Sequence, residues 1–288
     1  MAVLLALLSA ALYGAADFLG GIATRRAHVT AIVTIAQGSG LLLLTVLLPL
    51  LPAAAPTTAD LLWGSAAGLA GGIGVGLLYQ GFAVGSMALV APVSAICAVV
   101  IPAVASMAFG ERPGALTLGG MVIALIAIAL VSQTPGGPPA AAQGPTPSIG
   151  RWPAGLGIAL MSGVAIGFFF LCLAQTRPEA ALWPLLVARM ASTAAFALGA
   201  VVTRVPLVWP RAVLGIAVFG GVLDMVANAL YLFAARRGSL SVVVTLVSLY
   251  PASTVILARA FLGERVTPVQ GVGIALALVA VVLIVGGN

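Results

Sequence analysis

The chain has no lysine, one histidine and two cysteines among its 288 residues, and only 6% of its residues carry charge. A soluble domain carries about 25% charged residues. So few charges cannot cover a globular surface in water. With 62% hydrophobic residues and a mean hydropathy of +1.24, the expected solvent is lipid. Cys97 and Cys172 both lie inside apolar runs, so they read as small packing residues rather than a disulfide framework or a metal site. His28 has no second histidine to join it and stands beside Arg25 and Arg26 at the edge of an apolar run; it reads as a boundary residue. All twelve basic residues are arginines, most of them scattered through the segments between runs. Without a basic stripe or interleaved aromatics, the net charge of +6 does not indicate nucleic acid. No phosphate-binding loop, HExxH or GxSxG site occurs, and no cofactor is expected.

What is present is a series of long apolar runs. A bilayer core of about 30 Å needs roughly 20 apolar residues as helix. Ten runs meet that length, near 2–23, 28–51, 61–83, 87–109, 115–132, 153–175, 180–203, 211–235, 239–261 and 267–286. They are continuous and rich in Leu, Ala and Gly, without the alternation a β-barrel needs, so the fold class is an all-α polytopic membrane protein. The first run lacks a basic residue before it, so it does not read as a cleaved signal peptide.

The second half answers the first at a fixed offset of 153. Ser9 meets Ser162, Gly14 meets Gly167, Gly68 meets Gly221 and Gly120 meets Gly273. Gly85-Ser86 meets Gly238-Ser239, and Gly110-Glu111-Arg112 meets Gly263-Glu264-Arg265. The chain divides into a five-helix unit at 1–133, a Pro/Gly-rich linker at 134–152 and a second five-helix unit at 153–288. Five is odd, so the two units face opposite ways across the membrane. Inverted repeats point to alternating access, with substrate held near the midplane between the halves.

The ten runs, the duplication and the Gly-Glu pairs at Gly110-Glu111 and Gly263-Glu264 together resemble the drug/metabolite transporter superfamily, in its EamA family. The resemblance covers nearly the whole chain. It implies a secondary transporter of the inner membrane, often an exporter of amino acids or related metabolites, with both termini in the cytoplasm. The distribution of arginine between loops leans weakly the other way.

Three charges fall well inside the runs: Asp17, Arg189 and Asp224. Each is costly in hydrocarbon, about 2.5–3.5 kcal/mol on insertion scales. Their counterparts at the 153 offset are Phe170, Ala36 and Gly71, so the shared scaffold does not require them. Helical spacing puts Tyr13, Asp17 and Gly20 on one face of the first helix, and Asp224, Asn228 and Tyr231 on one face of the eighth. Arg189, Ser192 and Thr193 cluster on the seventh. Ser241, Thr245 and Ser248 form a stripe on the ninth. Polar stripes avoid lipid and face a bundle interior or a watery cavity. Helices 1, 8 and 9 are thus expected to line a cavity, with Asp17 and Asp224 as its anionic groups. The plainer alternatives are an Arg189–aspartate structural bridge and, for the ninth helix, hydroxyls bonded between helices. A carboxylate in apolar surroundings holds a proton more readily than one in water. It could then exchange that proton for a cationic or zwitterionic substrate.

Gly64, Gly68, Gly72 and Gly76 make a smooth face on the third helix, suited to close packing. Pro92 and Pro102 are expected to kink the fourth helix and Pro251 the ninth, as gating elements. Glu111 and Glu264 are expected to anchor short turns. The expected partners are a small-molecule substrate and the bilayer, with a monomer sufficient and a dimer possible. A lipid or lipid-linked precursor flippase or a passive channel is the alternative. An intramembrane aspartyl protease is remote, because the aspartates sit in GAADF and GVLDM rather than in the motifs of such enzymes.

Overall fold

The computed structural model describes residues 1–24, 26–50, 54–84, 87–131, 155–202, 211–262 and 267–287. The described residues are helical, without strands. In chain order the helices are α1 (Ala2–Thr24), α2 (Val29–Leu47), α3 (Thr58–Val84), α4 (Met87–Ala108) and α5 (Ala115–Val131). They continue as α6 (Leu156–Ala174), α7 (Trp183–Val202), α8 (Arg211–Ala235), α9 (Leu240–Val247), α10 (Tyr250–Leu262) and α11 (Pro268–Gly286). Among the described residues, seven stretches are long and apolar enough to cross a membrane, and three shorter apolar stretches accompany them: Val93–Ala108, Ala115–Val131 and Leu240–Thr254. Large apolar side chains such as Leu42, Phe219, Phe261, Leu278 and Val282 point outward, as lipid-facing surface does.

One expectation about proline needs correction. The run 239–261 is not one helix: it breaks at Ser248-Leu249 into α9 and α10. Pro251 sits in the first turn of α10, where its missing N–H removes no helical bond. Helix α4, by contrast, runs unbroken from Met87 to Ala108 through both Pro92 and Pro102. Membrane helices tolerate such prolines when neighbouring helices support the freed backbone. Here α6 packs closely on α4, with Gly163 against the Ser94 carbonyl and Gly167 against Ile101.

Helices in lipid gain little from apolar burial and adhere through close packing of small residues. The core accordingly holds many alanines, with Ala6, Ala23, Ala31, Ala67, Ala95 and Ala124 fully buried. The glycine face of α3 lies on α7: a Cβ on Gly68 would stand 2.1 Å from the Ala188 carbonyl oxygen, and one on Gly64 2.8 Å from that of Pro184. Gly221 of α8 meets the Ala36 carbonyl of α2 at 2.3 Å in the same way. Hydroxyls add interhelical bonds. Ser9 donates to the Ala227 carbonyl at 2.8 Å, and Ser162 to that of Gly74 at 2.8 Å.

One end of the bundle is fastened by polar clasps. Arg177 pairs with buried Asp60 at 2.9 Å. Arg236 donates to the carbonyls of Ala181 at 2.7 Å and Arg177 at 2.8 Å. Burial lowers the Arg236 guanidinium to about 10 against the pull of Asp60 and Glu179, so it stays charged at neutral pH. Gly110 ends α4 with a left-handed φ of 108°, and the Gly110 and Glu111 amides bond back to Met107 and Ser106. That is the six-to-one and five-to-two pairing of a glycine-terminated helix. The turn does more than anchor itself. It sends the Glu111 carboxylate across to the start of α9, where it accepts from the Leu240 amide at 2.6 Å and the Ser241 amide at 3.1 Å. Burial alone would raise the Glu111 carboxyl. The bonds from Ser241, Leu240 and Ser106 outweigh it and hold the group below the ordinary glutamate range. Gly85-Ser86, Gly263-Glu264-Arg265 and the linker 134–152 lie outside the described residues.

Candidate functional site

Helix α1 turns Tyr13, Asp17 and Gly20 to one side, as their spacing predicts, and that side faces the interior. Gly20 has no side chain because Tyr79 of α3 lies against it; a Cβ there would stand 2.1 Å from the tyrosine hydroxyl. Helix α7 brings Arg189 inward, only 8% exposed. Its Nη1 donates to Gln37 Oε1 of α2 and its Nη2 to Asp224 Oδ2 of α8. Asn228, one turn along α8, donates through Nδ2 to the Asp224 carbonyl at 2.6 Å and to its carboxylate at 3.2 Å. Asp224 is therefore held by an arginine and an amide. Asp17 has no hydrogen bond or ion pair among the described residues.

Two cavities meet at these groups. The larger, about 80 Å³, is lined by Tyr13, Asp17, Phe169, Phe170, Asn228 and Tyr250, among others. The smaller, about 40 Å³, is lined by Ala16, Asp17, Gly20, Ala36, Tyr79 and Gly220, among others. Asp17, Gln37, Val75, Arg189 and Asp224 border both. On α1 the larger cavity reaches toward Tyr13 and the smaller toward Gly20. On α8 the larger reaches toward Asn228 and the smaller toward Ala217. The two are thus stacked along the helix axes, with one polar layer at their junction. A single water needs roughly 10–15 Å³ of such space, so the larger cavity takes several waters or one compact organic group.

Other sequence-selected residues lie elsewhere. Tyr231 is fully buried and borders neither cavity; its hydroxyl donates to the Phe170 carbonyl at 2.6 Å, and its ring lies 4.5 Å from that of Phe170. It holds α8 to α6 behind the cavity wall. Ser241, Thr245 and Ser248 are fully buried and border neither cavity, so α9 does not line the site as expected. Thr245 bonds within its helix to the Ser241 carbonyl at 2.7 Å. The break after α9 instead delivers Tyr250 to the larger cavity. Pro102 and Pro251 are buried in the packing of their helices, and Pro92 lies within α4.

Sequence reasoning missed Gln37 and the aromatic wall. Gln37 had a signal, a lone amide in an apolar run. Phe169, Phe170 and Tyr250 had none, because an aromatic residue in a membrane helix is as much at home against lipid.

The model of the EamA-like transporter family matches residues 1–133 and again residues 154–286. Curated proteins give no match. A solved structure titled "Crystal structure of protein" matches 98% of this chain and 95% of its own, at 16% identity and a TM-score of 0.72; that likeness is one of fold.

Proposed function

The chain belongs to the EamA-like transporter family, and from that premise we propose that it is a secondary active transporter. It moves small metabolites such as amino acids or amines by alternating access, coupled to protons or by exchange, and exports them across the inner membrane with both termini in the cytoplasm. No catalytic role is assigned to its aspartates. A monomer suffices, because one chain carries both halves.

We read the architecture as ten crossings in two inverted five-helix repeats, with α9 and α10 making one crossing. The contacts support this. The bonds Ser9→Ala227 and Ser162→Gly74 differ by 153 at one end (162 − 9) and by 153 at the other (227 − 74). Gly120 lies against Ile284 and Gly273 against Val131, again 153 apart at both ends (273 − 120, 284 − 131). The packing of α1 on α8 has its counterpart in α6 on α3, and that of α2 on α8 in α7 on α3.

The observation that carries the functional reading is the polar layer of Asp17, Gln37, Arg189 and Asp224 at the junction of two stacked cavities. A group at that junction borders space on both sides, as an alternating-access site requires. The cavity size favours a compact metabolite over a lipid-linked precursor, and the paired Arg189 and Asp224 in mid-path disfavour a passive pore.

The test is uptake of a metabolite panel into proteoliposomes under an imposed pH gradient, with wild type beside Asp17→Asn. Gradient-dependent accumulation that the variant loses is the expected result. Equal accumulation by the variant removes Asp17 from the mechanism. Transport of nothing on the panel by either protein, with lipid scrambling in its place, overturns the reading in favour of a flippase.

A further inference from the structure

Resting on the transport reading above, we infer that the larger cavity is a site for a compact organic monocation, a primary ammonium on an apolar body, and not for a zwitterion or an anion. The argument starts from which polar atoms of the site are already used. Arg189 spends Nη1 on Gln37 and Nη2 on Asp224. The Ser192 hydroxyl is turned to the Arg189 carbonyl at 3.2 Å. The cation that a ligand carboxylate would pair with is thus already balanced by Asp224.

Unpaired acceptors stand beside that pair. Asp17 borders the cavity with no partner among the described residues. Asn228 also borders it, is 2% exposed, and has a buried Oδ1 without a partner. Its amide orientation is fixed, because Nδ2 donates to Asp224. The buried Tyr13 hydroxyl is unpartnered as well and can accept. A buried acceptor without a donor costs free energy, so the ligand that completes this site brings N–H donors.

Charge and shape agree. Once Asp17 has given up its proton, Asp17 and Asp224 against one Arg189 leave the site one negative charge in excess, which a monocation balances. Tyr13 has Phe170 at 6.2 Å and Tyr250 at 6.5 Å between ring centroids, and all three rings line the cavity. Aromatic faces attract a cation and also receive an apolar body.

The experiment uses four probes that share a phenyl body: 2-phenylethylamine, phenylalanine, phenylacetate and 2-phenylethanol. Binding to the purified full chain is measured by titration calorimetry. The amine binds, and the zwitterion, the anion and the alcohol bind at least about tenfold more weakly. Asp17→Asn lowers amine affinity roughly 10- to 100-fold, while Asp17→Glu, which keeps the charge, retains the preference. Phenylalanine or phenylacetate binding as tightly as the amine overturns the inference. So does unchanged amine affinity in Asp17→Asn, or the absence of binding by all four probes. The order of probes in wild type decides the matter even if a variant misfolds. Counterflow in proteoliposomes separates the two readings. Amine binding without counterflow keeps the site and removes the transporter. Counterflow of phenylalanine but not of the amine keeps the transporter and removes the site.

Discussion

Asp17 and Phe170 stand 153 residues apart, and both line the larger cavity. So do Asp224 and Gly71. Arg189 and Ala36, again 153 apart, both line the smaller one. The two halves therefore present the same three positions to the site with different chemistry. At each pair one half carries charge and the other carries nothing polar. Scaffold contacts behave in the opposite manner: the serine bonds and the glycine approaches recur in both halves with the same residue types. Positions that hold the fold are duplicated, and the three charged positions at the cavities have diverged. In lipid this is expected. A close approach works equally well in either copy, whereas a second set of acids at Phe170 and Gly71 would add unpaired buried charge.

The largest way to break that comparison is Asp224→Asn. It leaves Arg189 with Gln37 as its remaining partner. Removing one member of a buried pair costs up to about 3–5 kcal/mol, lessened here because the Asp224 side chain is 28% exposed. Thermal unfolding in detergent is expected to show the loss, and replacing both Arg189 and Asp224 by leucine to recover most of it. Recovery would mean that the pair is not needed for folding.

Next come Gly68→Ala and Gly221→Ala. Each Cβ would press on a backbone carbonyl, at 2.1 Å and 2.3 Å, and overpacking costs about 1–3 kcal/mol. Matched losses of melting temperature are expected, with Gly38→Ala, which meets nothing within 4 Å, as the silent control. A loss at one glycine alone would break the equivalence of the two halves.

Glu111→Gln sharpens the comparison at the end clasp and is expected to cost about 0.5–2 kcal/mol, as lost helix caps do. The carboxyl is held below its ordinary range in the folded chain. Its contribution is thus complete above the unfolded value and disappears as pH falls through the lower folded value. The stability difference between wild type and Glu111→Gln should shrink on acidification through that window; a constant difference would place the effect elsewhere.

Smallest is Tyr231→Phe, which removes the bond to the Phe170 carbonyl and keeps the ring contact. About 0.5–1.5 kcal/mol of stability is expected to go, read from the same unfolding curves. A much larger loss would mean that the hydroxyl does more than join α8 to α6.

Asp17, Asp224, Asn228 and Arg189 were legible as cavity-lining residues because charge and amide groups in a membrane helix stand out against their surroundings. Tyr231 and the α9 hydroxyls were misplaced on the cavity for a definite reason. Helical spacing says which residues share a face, but not whether that face meets a cavity or another helix. The break at Ser248-Leu249 was near the suspected proline yet not at it.

The sequence by itself determined the solvent, the all-helical class, the family and the 153-residue correspondence. These follow from local properties: run length, charge cost in hydrocarbon, and the recurrence of glycine and serine at one offset. Only the tertiary structure decided that Arg189 takes Asp224 and Gln37 and leaves Asp17 open, and that Tyr13, Phe170 and Tyr250 wall one cavity. It also decided that Glu111 caps a helix 129 residues further on. Each of these is a relation between helices far apart in the chain, fixed by how closely their glycine and alanine faces pack, and no single helix carries that information.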